Sequence, residues 1–262
     1  MDTSKLRPDT ARVWQAMSGH PRLKGFVLIG GTALTLRIGH RVSEDLDFAC
    51  HLPKLPPLQV KALVRDLAIA GIELVPTPNP LDVESFMNDG LQLADYQQDF
   101  VARASGQGAQ GGVKVSLVCL DPPSNGFVGG SLEDEVRVAT LDEIFKTKAW
   151  VCCERSKTRD WFDLYTLMTA HGYGFEDVYA AYASADRLPS FNIAAMRLRA
   201  CKPESLDEGY LQLAGEAPTL EQMRGFFNEG LDALEVQQAK NAFRAKALGL
   251  LRAKFGHFDL RK

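Results

Sequence analysis

Two rhythms divide this chain. Short apolar runs ended by glycine or proline dominate its first half, and apolar residues at every third or fourth position dominate its second. The first rhythm is that of buried strands, the second that of amphipathic helices. A helix is expected over 8–18, where a proline stands near the start and Val13 and Met17 recur at helical spacing. GFVLIGG then reads as a buried strand running into a tight turn. TALTLRIG offers Thr32 as the N-cap of a short helix that Gly39 stops, and DLDFACHL is the next strand. Leu58, Ala62, Leu63, Leu67 and Ala70 mark an amphipathic helix over 56–70, and IELVPT follows it as a strand.

YQQDFVARA and GGVKVSLVCL read as two further strands joined by the turn GQGAQGG, hence as a hairpin. PPSNGFVGGSLEDE is rich in Pro, Gly, Ser and Asn, which predicts a loop and a domain boundary. Beyond it the pattern is helical: TLDEIFKTKAWVCCE, RDWFDLYTLMTAHG, FEDVYAAYAS and a long segment from TLEQMRGFF to KALGLL. The expectation is an α/β unit over 1–125 followed by a mainly helical unit over 126–262, without internal repeats.

Composition narrows the function classes. A chain of 262 residues that is 45% hydrophobic can bury a sizeable core. Its net charge of −3 excludes a uniformly basic coat, so any nucleic-acid contact must come from local patches. One such patch runs from Ala239 to the end, where Lys240, Arg244, Lys246, Arg252, Lys254, Arg261 and Lys262 face a single acid, Asp259. A solvated helix face and tail is the simpler account of such a run taken alone. Cys50, Cys119, Cys152, Cys153 and Cys201 lack metal-ligand spacing and read as reduced core thiols. No run reaches the roughly 18 apolar residues that span a bilayer, and the first residues carry no apolar signal core, so a soluble cytoplasmic protein is expected.

Candidate chemistry centres on SEDLDF. Asp45 and Asp47 occupy alternate positions and so share a strand face, with Ser43 just before them. Two carboxylates that close repel. Either each is separately hydrated at the strand's solvent end, or the pair holds a divalent cation that also takes substrate phosphates. Upstream, Gly30 and Gly31 follow an apolar strand and precede a helix, where backbone N–H groups can cradle a phosphate. Further on, Lys148 shares a helix face with Leu141, Ile144, Phe145, Ala149 and Cys152. Its stem could pack while its ammonium snorkels to water. Arg159 could pair with Asp163 four residues later. Arg41 could bind phosphate or brace the carboxylates, His40 could meet a nucleotide or a backbone group, and the tryptophans read as core.

The pattern of GG at a strand end, a short helix and then HRVSEDLDF resembles the signature of the AbiEii/AbiGii-type toxin nucleotidyltransferases of the polymerase-β-like superfamily. Gly30, Gly31, Thr32, His40, Arg41, Ser43, Asp45, Leu46, Asp47 and Phe48 carry the resemblance, and Lys148, Arg155 and RDWFDL resemble the family's later block. The resemblance implies a nucleotidyltransferase-fold mixed sheet flanked by helices. It implies Asp45 and Asp47 as ligands of Mg²⁺ or Mn²⁺, Ser43 and the glycines on nucleotide phosphates with Thr32 and Arg41 beside them, Lys148 on the triphosphate, and Asp160 rather than Asp163 as the later catalytic acid.

One position departs from the wider superfamily: the strand VKVSLVC has Lys114 and Ser116 where a third carboxylate is commonly found. The expected reaction is transfer of a nucleoside monophosphate from an NTP to a hydroxyl acceptor, a tRNA 3′ end or another RNA, by a toxin with an antitoxin encoded nearby. Transfer to a small molecule or a protein, and a non-catalytic nucleotide- or RNA-binding module, are the alternatives.

Overall fold

The computed structural model of the chain describes residues 3–104, 112–131, 133–207, 209–213 and 215–255, with side chains to 248 and at 250. Most of the turn GQGAQGG, and the basic residues from Arg252 onward as side chains, lie outside the described residues. Helix α1, Pro8–Met17, has proline in its first turn and buries Val13, Trp14 and Met17 on one face. Strand β1, Phe26–Ile29, runs into helix α2, Gly30–Ile38, which ends on Gly39 in the left-handed conformation at φ 64°. The helix starts two residues before Thr32, with Ile29 at the N-cap position. Thr32 is therefore no cap: inside the first turn, its hydroxyl donates to the Asp45 carbonyl.

Strand β2, Leu46–Cys50, lies antiparallel to β1 and is followed by helix α3, Pro57–Ile69, and strand β3, Ile72–Pro76. Helix α4, Pro80–Asn88, was not apparent in the apolar pattern because it buries no residue; its signals are local, an Asn79 cap and Pro80. Strands β4, Gln97–Ala104, and β5, Val113–Cys119, form the expected antiparallel hairpin. The stretch read as a plain loop contains a short helix α5, Pro122–Phe127, and just beyond it strand β6, Arg137–Val138, pairs parallel with β1. The six strands form one mixed sheet in the order β3-β4-β5-β2-β1-β6.

Helix α6, Leu141–Val151, opens with a capping box in which Thr140 accepts from the Glu143 N–H and Glu143 accepts from the Thr140 N–H. The Glu143 carboxylate also takes Arg137 and the Gly129 N–H, which together hold its pKa at about 2 against the cost of burial. Helices α7, Thr158–Ala170, α8, Phe175–Ser184, α9, Leu188–Ala200, and α10, Leu220–Phe255, complete the chain. Helix α9 escaped pattern reading because its apolar residues form no clean stripe: Ile193 and Met196 are exposed while Phe191, Ala194 and Leu198 are buried. One continuous core joins Leu28, Phe48 and Leu117 of the sheet to Phe145, Trp161, Tyr182 and Phe227 of the helices. All five cysteines are free.

Two glycines of α10 give opposite expectations. A Cβ at Gly230 would run into the Phe175 ring, whereas at Gly225 it would meet nothing within 4 Å. Gly225→Ala should raise stability by about 0.5–1 kcal/mol through helix propensity. Gly230→Ala should lower it by about 1–3 kcal/mol through overpacking, despite the same propensity gain. Thermal unfolding of the two variants beside the wild type reads the difference in sign.

Candidate active site

The turn between β1 and α2 is shaped by the side chains it must admit. Gly30 has φ 74°, and a Cβ there would lie 2.7 Å from Asp47 Oδ2. At Gly31 a Cβ would lie 2.5 Å from Arg41 Nη2 and 2.7 Å from Ser43 Oγ. Real Cβ atoms essentially never come this close, so the glycine pair is required by the carboxylate, guanidinium and hydroxyl that press against it. Strand register explains the meeting: Ile29, the last residue of β1, pairs with Asp47. The motif halves GG and SEDLD are thus neighbours in space.

Asp45 and Asp47 flank Leu46, whose side chain is fully buried, so the two carboxylates lie on the other side of the strand. Asp45 is partly exposed and lies 3.8 Å from Arg159 Nη1. Arg159 therefore faces Asp45, not Asp163 as the helical spacing allowed. Burial and the Asp45 charge together raise the Asp47 pKa, against the fields of Lys114, Lys148 and Arg155. This mutual repulsion is what a divalent cation would relieve, and the hard oxygens suit Mg²⁺ shared with phosphates. Among the described residues no group of three or more His, Cys, Asp and Glu is arranged to hold a metal, so such an ion would rely on substrate oxygens and water.

Behind the pair lies a buried ionic cluster. Lys148 is 5% exposed, Asp160 1% and Asp163 0%, which rules out a snorkelling lysine. Its ammonium lies 2.7 Å from Asp160 Oδ1 and 2.6 Å from Asp163 Oδ2. Arg41 forks onto Asp163, Nε donating to Oδ1 at 2.6 Å and Nη2 to Oδ2 at 2.8 Å. His40 Nε2 lies 2.6 Å from the same Oδ1. Arg155 Nε donates to Asp160 Oδ2 at 2.7 Å. Burial pushes both acids up, but the cations prevail: Lys148 and Arg155 hold Asp160 at about 2, and Lys148 and Arg41 hold Asp163 well below the usual carboxylate range. Burial lowers the His40 pKa in spite of Asp163. Arg41 thus braces a carboxylate, that of Asp163 rather than Asp45 or Asp47.

The segment before α10 closes over this cluster. The Val42 N–H donates to the Leu211 carbonyl at 2.7 Å and the Leu213 N–H to the His40 carbonyl at 3.2 Å. Tyr210 stacks on Phe162 at 4.0 Å, and Phe162 stacks on His40 at 5.5 Å. Nothing in the pattern around Tyr210 announced this, because its partners lie more than forty positions away in the chain. On the other flank, Ser116 sits in register beside Asp47 and donates to the buried Asp99 at 2.6 Å. Asp99 was also missed; it pairs with Ser116 across the β4–β5 hairpin, one strand beyond the position where an acid was sought.

The sequence matches the family described as the nucleotidyl transferase AbiEii toxin of a type IV toxin–antitoxin system over residues 12–253. An uncharacterised protein of Aquifex aeolicus, aq_aa25, is 23% identical over 174 residues, 66% of this chain and 72% of that protein. JHP933 from Helicobacter pylori aligns over 92% of this chain and 96% of its own at 21% identity, with a TM-score of 0.48. A candidate nucleotidyltransferase of H. pylori aligns over 86% and 95% at 20% identity, with a TM-score of 0.47.

Asp163→Asn should cost about 3–5 kcal/mol in urea unfolding, since it leaves Arg41 and Lys148 buried without their shared countercharge. The depressed pKa values also fix a pH signature. The stability contributed by Asp160 is complete above its ordinary value near 3.8 and is lost as pH falls through its folded value of about 2. Unfolding curves between those limits should fall steeply for the wild type and more gently for Asp160→Asn.

Proposed function

From the chain's membership of the AbiEii nucleotidyl transferase toxin family, which makes it a nucleotidyltransferase toxin of a type IV toxin–antitoxin system, we propose that it transfers a nucleoside monophosphate from an NTP to the hydroxyl of a tRNA 3′ end. The observation that carries the reading is the junction of Gly30, Gly31, Ser43, Asp45 and Asp47 at one strand end, backed by the Lys148 cluster. The family implies an NTP substrate and an antitoxin as partner. We place the reaction in the cytoplasm; among the described residues no helix is long and apolar enough to cross a membrane.

In this reading the backbone of Gly30 and Gly31 and the hydroxyl of Ser43 bind the triphosphate at the start of α2, where the helix dipole favours negative charge. Asp45 and Asp47 would hold a divalent ion, Mg²⁺ or Mn²⁺, which supplies Lewis-acid stabilisation of the phosphoryl oxygens. Arg159, partly exposed and 3.8 Å from Asp45, would meet the departing pyrophosphate. The acceptor oxygen attacks the α-phosphorus in line with that leaving group, and fixed charges carry most of the acceleration.

Asp160 and Asp163 take a different part from the one sequence reading gave Asp160. A carboxylate that is 1% exposed and bound by both Lys148 and Arg155 is poorly placed to receive a proton from an acceptor. We assign both acids to positioning. They fix Lys148, Arg155 and Arg41 so that a net positive field reaches the triphosphate site, where Lys148 opposes the burial-driven rise in the Asp47 pKa. Lys148 acts on the nucleotide through that field.

The test is incubation of the purified chain with each of the four α-labelled NTPs, Mg²⁺ and separate total-tRNA, protein and small-molecule fractions. Label should enter tRNA 3′ ends, and Asp47→Asn should lower incorporation by at least about a hundredfold. Label confined to the protein or small-molecule fraction would overturn the tRNA acceptor. Incorporation undiminished in Asp47→Asn would overturn the site.

A further inference from the structure

The cations around the carboxylates divide by commitment. Arg41 and Lys148 are buried and bound to Asp163, Lys148 and Arg155 are bound to Asp160, and Arg159 leans on Asp45. Turning Arg41 or Lys148 toward a ligand would strip a buried carboxylate of its countercharge, a large cost. Lys114 is of another kind. It is exposed, and among the described residues it makes no hydrogen bond or ion pair.

Strand register fixes where it stands. Strands β2 and β5 run parallel, with Leu46 beside Val115 and Asp47 beside Ser116. Lys114 lies two residues before Ser116 and so shares its face, the face of Asp47; extending the register by one residue sets it alongside Asp45. Neighbouring strands are about 4.8 Å apart, well within reach of a lysine stem. On its far side the hairpin partner at this level is Val101, which offers no competing charge.

We propose that Lys114 is a phosphate-binding residue: its free ammonium, on the sheet face beside Asp45 and Asp47, takes a phosphate group of the bound substrate on the β5 side of the site. The inference rests on the nucleotidyltransferase reading and assigns it a contact that the turn, the carboxylates and the buried cluster do not supply. Arg41, Lys148 and Arg155 shape the field from behind, whereas Lys114 can close directly on an oxyanion without releasing any partner. A charge-assisted N–H···O bond of this kind is among the stronger single polar contacts. The phosphate belongs either to the NTP or to the backbone of the RNA acceptor, and the two sources are separable.

The experiment titrates the full chain, in Mg²⁺, with tripolyphosphate and separately with deacylated total tRNA, at two salt concentrations, for wild type, Lys114→Gln and Lys114→Arg. Lys114→Gln should weaken binding of the anion it holds by about tenfold. It should also flatten the salt dependence of that binding by about one charge. Lys114→Arg, which keeps the charge, should stay within about threefold of wild type. Loss with tripolyphosphate assigns the contact to the NTP, and loss with tRNA alone assigns it to the acceptor.

Unchanged affinity for both anions overturns the proposal, as does a wild type that binds neither. A shift in the pH profile of transfer without any change in affinity also overturns it, because Lys114 would then merely offset the Asp47 charge. If the wild type shows Lys114-dependent binding but transfers no label, the phosphate site stands and the nucleotidyltransferase reading fails. An unchanged thermal midpoint for the exposed Lys114→Gln site separates loss of binding from loss of fold.

Discussion

The carboxylate of Asp163 is the pivot of this structure. It is fully buried on a helix of the second half of the chain, and it is held by Arg41 and His40 from the first half and by Lys148 from the neighbouring helix. A charge removed this far from water is tolerable only when its countercharges are fixed in good geometry. The fork from Arg41 supplies that geometry, and in doing so it fixes the loop that leads into Ser43 and Asp45. The packing of α7 against α6 and the placement of the β1–α2 turn therefore depend on one another through a single ionised group.

Two kinds of carboxylate result, set apart by environment. Asp160 and Asp163 are surrounded by cations and stay ionised to low pH, so they act as permanent charges. Asp47, desolvated by burial and beside Asp45, has a raised pKa, the opposite displacement. Nearby titrating groups pushed in opposite directions are a common mark of functional sites. Here the permanent charges are screened from solvent, whereas Asp45 beside Asp47 is partly exposed.

Much of this was legible in the chain because local physics wrote it there. The apolar run ended by GG, the alternate acids and the hairpin strands each state their geometry within a few residues. What stayed hidden were relationships across distance. Arg41 and Asp163 are 122 positions apart, so no spacing rule could pair them. Lys148 looked like a snorkelling residue on an apolar stripe until its two partners were seen. Thr32 was misread as a cap because the glycines before it, poor helix formers on propensity, begin the helix to keep clear of Arg41, Ser43 and Asp47. Helices α4 and α9 were missed where burial gives them no clean stripe.

The segment that lies across His40 and Val42 has a consequence in time. Residues 40–42 are synthesised early, yet their backbone partners, Leu211 and Leu213, come about 170 residues later, after Lys148 and Asp163. A chain that has not reached Leu213 can already hold this loop through the Arg41 fork onto Asp163, but it lacks the two backbone bonds that Leu211 and Leu213 supply. The backbone that covers this site is thus supplied well after the glycine turn and the acids beneath it have left the ribosome.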